Sequence, residues 1–253
     1  MILRRIATAF KRQDWAMVLI EFVLVIAGVL VALQANNSNE ARKDRALERI
    51  YLARLHSDLE QSITLNQLYL TSMLESRDEA SFVIDALETC SLAPDMRDRF
   101  ATSLFRLGKY SPPSLIDTTL FEMQSAGTLG LISDPALVQA LIDLQRSFER
   151  ISNIIFSSTT LWTADQIALL NRRAQYNFVD LRGGFGPVRW EELSFDFEEA
   201  CTDEALIAAI KTIRTSTIEM ARRNEREIAR IGETRTTLET VMDNKIPGWR
   251  ETP

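Results

Sequence analysis

Residues 15–33, Trp-Ala-Met-Val-Leu-Ile-Glu-Phe-Val-Leu-Val-Ile-Ala-Gly-Val-Leu-Val-Ala-Leu, decide how this sequence is read. Nineteen residues in a helix rise nearly ~30 Å, the thickness of bilayer hydrocarbon. The stretch contains one charge, Glu21, and twelve Leu, Ile, Val and Phe residues. On an insertion scale those twelve contribute roughly −4 to −7 kcal/mol against about +3 for a central carboxylate, so insertion wins. The expectation is one transmembrane helix over residues 15–35. Its rivals are a buried core helix, since the unbroken run Phe22–Leu33 is short for a span, and a cleaved signal peptide with Leu33 and Ala35 at −3 and −1. Leu33 is a poor −3 residue, and the 21 residues before the unbroken run are long for a signal peptide. An uncleaved anchor fits better.

Helical spacing places Glu21, Val25, Gly28, Ala32 and Ala35 on one stripe of the span. Gly28 and Ala32 make a small-xxx-small pair that allows close helix approach. The stripe is therefore expected to be a packing face, for a homo-oligomer or for another membrane protein, with Glu21 hydrogen-bonded across it or snorkelling to the headgroups. Membrane lipid is the other expected contact.

Charge sets the surroundings. The chain carries a net −6: residues 1–14 hold +3, Glu21 −1, and everything from Asn36 onward −8. No nucleic-acid partner is expected for so acidic a domain, because phosphate binding needs clustered Lys and Arg. Residues 1–14 place Leu3, Ile6 and Phe10 opposite Arg4, Arg5, Lys11 and Arg12, as a basic amphipathic cytoplasmic tail or a disordered one. Arg42, Lys43, Arg45 and Arg49 stand beyond the span but interleave with Glu40, Asp44 and Glu48, so charge alone leaves the orientation nearly balanced. Long domains translocate largely regardless of charge, which favours the N-terminus in the cytoplasm and residues 36–246 in the periplasm of a bacterium.

Those residues read as all-α. Leu52, Leu55, Leu59, Tyr69, Met73, Ala80, Val83 and Leu87 form a seam at 3.5-residue spacing, interrupted by Ser62, Asn66 and Ser76. Two more seams follow. One runs Leu137, Leu141, Leu144, Phe148, Ile151, Ile155, Ser158, Trp162, Leu169 and Tyr176; the other runs from Leu206 through Ile213, Asn224 and Glu227 to Val241. The prediction is an elongated bundle of three long helices at about 39–89, 135–176 and 202–245, with short helices between and a tail at 247–253. Asp134-Pro135 supplies an N-cap and N1, Gly127 the C-cap of a short helix from about Ser114 to Ala126, and Thr202 the cap of the third long helix. No Gly or Pro intervenes between Val29 and Thr89, so the helix can continue from the span, and Asn36-Asn37-Ser38-Asn39 is the one kink or fresh N-cap on offer. Residues 177–200 break the pattern with Gly183, Gly184 and Gly186, and Phe178, Phe185, Trp190, Phe195 and Phe197 make that stretch aromatic, to pack on the bundle or to touch lipid.

Chemistry-bearing motifs are scarce. His56 is the sole histidine, expected on a solvated face, and no G-x-S-x-G elbow, Walker or dinucleotide spacing occurs. With one His and two distant Cys, neither a metal nor a cofactor is expected. Cys90 and Cys201 make either one disulfide or two free thiols. The reading is a non-enzymatic membrane protein whose helical domain serves interaction or assembly. A ligand-sensing module, or an accessory subunit of an ion-coupled complex using Glu21, is the alternative.

The runs Arg4-Arg5-Ile6-Ala7, Gln13-Asp14-Trp15, Ile20-Glu21-Phe22, Gly28-Val29, Leu33-Gln34 and Asn36-Asn37-Ser38-Asn39-Glu40-Ala41-Arg42 resemble a family of uncharacterised bacterial single-pass membrane proteins, a domain of unknown function. Ser125-Ala126-Gly127-Thr128-Leu129-Gly130-Leu131-Ile132 resembles a second motif of that family. Ser38 departs from the tryptophan the family favours there. The resemblance implies one span followed by a helical domain, and it implies no activity.

Overall fold

The structure, a computed structural model, describes residues 15–109, 111–177 and 187–251. The fold is all-α. The chain divides into two units, Met1–Tyr51 and Leu52–Pro253, each described by itself. Residues 36–51, expected in the helical domain, belong to the first unit, and Asn36 through Glu40 are exposed.

In the first unit the chain enters helix α1 (Trp15–Glu88), whose remainder belongs to the second. No break occurs at Asn36–Asn39; the Asn36 amide instead donates to Glu40 Oε1 at 2.9 Å, one turn on. An exposed carboxylate one turn away suits a polar residue inside a helix. The apolar stretch from Leu19 has a mean hydropathy of 2.1 and none of it is buried, and it is long and apolar enough to cross a membrane. The expected tail at 1–14 lies outside the described residues.

In the second unit α1 is followed by α2 (Arg97–Arg106), α3 (Thr118–Ser125), α4 (Pro135–Trp162), α5 (Ala164–Arg173), α6 (Phe197–Thr202) and α7 (Glu204–Lys245). A two-residue antiparallel ladder joins β1 (Gln175–Tyr176) to β2 (Leu193–Ser194). It is too short to leave an alternating pattern. Helices α1 and α7 run antiparallel, as His56 meets Glu239, Asn66 meets Asn224 and Glu88 meets Lys211. So do α4 and α7, where Ser147 meets Glu227.

Most of the seam residues lie in the core, but Tyr69, Leu169 and Tyr176 are only half-buried, and the side chains of Ile155, Ser158 and Trp162 lie outside the described residues. In α7, Leu206, Ile210, Ile213, Thr217, Met220, Asn224, Glu227, Ile231, Thr234, Leu238 and Val241 are all buried. In α1, Leu52, Leu55, Leu59, Met73, Ala80, Val83 and Leu87 are buried, and the interrupting Ser62 and Asn66 are as deep as their neighbours. The largest cluster gathers Leu87, Leu104, Leu206 and Ile210 around Phe100.

Three expectations are corrected. The helix drawn over 135–176 breaks at Thr163, the chain re-enters as α5, and Leu170 rather than Leu169 is buried. Thr163 has φ −121°, outside the helical range, so the 3.5-residue phase cannot carry across it. The third long helix begins at Glu204, capped by Asp203, whose carboxylate accepts from Leu206 N at 3.0 Å. Thr202 ends α6 instead, its hydroxyl donating to Glu199 O. The helix expected from Ser114 starts at Thr118, because Asn66 and Ser62 of α1 take up the backbone groups of Ser114 and the N–H of Ile116. The tail at 247–253 includes a 3-10 turn at Trp249–Glu251.

Helix ends follow local chemistry. Asp134 accepts from Ala136 N and Leu137 N ahead of Pro135, which has no N–H to satisfy. At α3, Gly127 has φ +68° and Thr128 N reaches back to Met123 O, a Schellman end. The same motif closes α1, where Ser91 N donates to Ala86 O and Cys90 N to Leu87 O. There the left-handed position that favours glycine is held by Cys90, at φ 45°.

Candidate functional site

Four features hold the groups able to bind or react: the apolar stripe, the cystine, a polar layer in the bundle, and the surroundings of His56.

On the stripe, Glu21, Val25, Gly28, Ala32 and Ala35 fall within about 80° of arc at 100° per residue. All five are exposed, and a Cβ built on Gly28 would meet nothing within 4 Å. A flat, small-residue surface beside one carboxylate is what close helix packing in a bilayer uses.

Cys90 and Cys201 form a disulfide with Cα atoms 5.4 Å apart. It ties the end of α1 to α6, and the loop it closes spans 111 residues. Beside it the aromatic stretch packs inward: Trp190, Phe195 and Phe197 stand 6.2, 5.7 and 5.6 Å from Phe100, ring centre to ring centre. Phe178 and Phe185 lie outside the described residues, as do Gly183, Gly184 and Gly186. From the ladder itself, Tyr176 crosses Phe105 edge-on at 5.0 Å, and burial pushes its hydroxyl well above the ordinary tyrosine range.

The polar layer explains why Ser62 and Asn66 interrupt an apolar seam. Asn66 pairs with the backbone of Ser114 as a β-strand would, donating to its C=O at 2.6 Å and accepting its N–H at 3.0 Å. Ser62 accepts from Ile116 N at 2.9 Å, and Asp58 accepts from Thr119 N at 2.9 Å. Three side chains of α1 thus satisfy the strap before α3 and cap that helix from outside, while Asp117 makes no side-chain cap. Asn224 of α7 completes the layer, donating to Asn66 O at 2.8 Å. Just under one turn along α7, Glu227 is 3% exposed and accepts from Ser147 at 2.9 Å; Arg230 pairs with the same carboxylate at 3.1 Å and donates to Ser147. A buried carboxylate is tolerated only when so engaged.

His56 is not on a solvated face. Its Nε2 stands 3.2 Å from Glu239, its Nδ1 3.7 Å from Glu60, and Trp249 packs edge-on at 5.0 Å. Trp249 in turn donates to Asp243 at 2.8 Å. The imidazole has no serine or cysteine nucleophile among these partners, and it anchors the C-terminal turn. Among the described residues no group of three His, Cys, Asp or Glu side chains is placed to hold a metal ion.

Sequence reasoning named the stripe and both cysteines, but not the Ser147–Glu227–Arg230 cluster. The one available signal was Glu227 on an apolar seam. Against known proteins the chain matches no family model, no curated protein and no solved structure, so its function is argued from its own residues.

Proposed function

We propose that this is a non-enzymatic, single-pass protein of a bacterial inner membrane, with its N-terminal residues in the cytoplasm and its helical unit in the periplasm, where it serves in protein interaction or assembly. The exposed apolar surface of α1 from Leu19 to Leu33 carries the reading. Each such side chain left in water forgoes roughly 1.5–3 kcal/mol, so the surface calls for lipid or a partner helix. The Cys90–Cys201 disulfide supports an oxidising compartment for the helical unit. The small-residue stripe supports self-association or a second membrane protein as the partner of the span.

Trypsin added to intact spheroplasts, followed by alkaline carbonate extraction of the membranes, tests both halves. The helical unit should be digested from outside while the span stays in the membrane pellet. Full protection from trypsin would overturn the orientation, and release by carbonate would overturn the anchor.

A further inference from the structure

Just beyond its apolar stretch, α1 carries its charges in two rows. Arg42, Arg45 and Arg49 alternate in sequence with Glu40, Asp44 and Glu48, but the helix separates them. At 100° per residue the three arginines fall within about 60° of arc and the three carboxylates within about 80°, the two rows centred about 130° apart. The arginines are all exposed, and none makes an ion pair or hydrogen bond among the described residues. The carboxylates are differently placed: Glu40 accepts from Asn36, and Glu48 is buried. Like charges three and four residues apart on a helix repel, so the arginine row gains from an anion laid against it.

Height along the helix selects that anion. Arg42, Arg45 and Arg49 stand about 10, 15 and 21 Å beyond Ala35, where the apolar stretch ends. The headgroup layer outside the hydrocarbon is about 5–8 Å deep. Every Cα–Cβ bond of a helix leans towards its N-terminus, here towards the apolar stretch, so the long stems of Arg42 and Arg45 come down onto the headgroups. Arg49 stays more than a Debye length, about 8 Å, above them. Continued along α1, the Glu21–Ala35 stripe passes about a quarter of a turn from the arginine row, so a helix packed on the stripe leaves the row to lipid. We propose that Arg42 and Arg45 together hold the headgroup of an anionic phospholipid, both guanidiniums donating to its phosphate. A zwitterionic headgroup offers the same phosphate, but its own cation competes for it. The inference rests on α1 crossing the membrane and holds for either orientation.

Ser38 falls in the arc of the same row, about one turn nearer the apolar stretch, and a fluorophore attached through Ser38→Cys reads the lipid beside it. The full chain so labelled is placed in phosphatidylcholine nanodiscs containing a small, equal share of nitroxide-bearing phosphatidylglycerol or nitroxide-bearing phosphatidylcholine. Phosphatidylglycerol should associate at least about 5-fold more strongly, as judged by quenching, and excess inorganic phosphate should leave that preference in place. Arg42→Gln with Arg45→Gln should bring the ratio to about 1, whereas Arg49→Gln should leave it within about 2-fold of the starting value. Glutamine keeps helix propensity, so the pair of substitutions removes charge without removing the helix. Equal quenching by the two lipids, a preference that survives loss of both arginines, or one abolished by inorganic phosphate would each overturn the proposal while the span stands, since any quenching requires lipid beside Ser38. Absence of quenching by either lipid would overturn the span and this inference with it.

Discussion

Removing the cystine should be the most damaging conservative change to the helical unit. Its closed loop spans 111 residues, for which the chain-entropy relation gives about 4.8 kcal/mol at 25 °C. In a unit of this size each kcal/mol shifts the melting temperature by about 2–4 °C, so Cys90→Ala with Cys201→Ala should lower it by about 10–19 °C. Position 90 adds a second contribution. With φ at 45°, alanine retains the steric cost of the left-handed region, whereas glycine relieves it. Cys90→Gly with Cys201→Ala should therefore recover about 1 kcal/mol relative to the double alanine variant. Near-UV circular dichroism of the full chain in detergent, with and without dithiothreitol, reads both effects. The wild type should melt lower in dithiothreitol, and both variants should be indifferent to it. A loss below about 1 kcal/mol in the double alanine variant would refute the loop-closure reasoning, because a constraint on the unfolded chain of this length cannot be so small in that model.

Outcomes for five further variants follow. Asn66→Leu strands both backbone groups of Ser114 and should cost about 2–4 kcal/mol, with new proteolysis in the strap at 111–117 as the direct readout. Gly28→Leu should reduce crosslinked oligomer in membranes if the stripe is the contact, and Glu21→Gln should leave the oligomer intact if that residue snorkels but weaken it if it bonds across the interface. Because burial raises the Tyr176 hydroxyl above its unfolded value, its contribution is full below pH ~10 and falls as pH rises, when only the unfolded chain releases that proton. Tyr176→Phe should accordingly flatten the decline of the melting temperature above that pH. His56→Ala removes the surface on which Trp249 packs, so quenching of tryptophan fluorescence by iodide should rise.

What could be read beforehand was whatever lies within a few residues of its cause. Asp134-Pro135 and Gly127 declare helix ends because caps are local, and the α7 seam was legible from Leu206 to Val241 because its phase is never interrupted. The break at Thr163 was hidden, since no Gly or Pro marks it and the apolar residues on both sides are consistent with one helix. Asn66 and Ser62 read as flaws in a seam because their partners at 114 and 116 are 48 and 54 residues away. His56 looked solvated for the same reason: Glu239 is 183 residues further on. The stripe around Glu21 was legible as a pattern, and its five residues are exposed in the structure.

The pairing of α1 with α7 also governs how the protein is made. His56 leaves the ribosome 183 residues ahead of Glu239. At about 5–20 residues per second that is a delay of roughly 9–37 s. Throughout it Leu52, Leu55 and Leu59 have no α7 to cover them, and a bare apolar seam invites aggregation. Synthesis of this chain therefore calls for a holding chaperone where its helical unit emerges, and slowing translation between α4 and α7 should lower its yield.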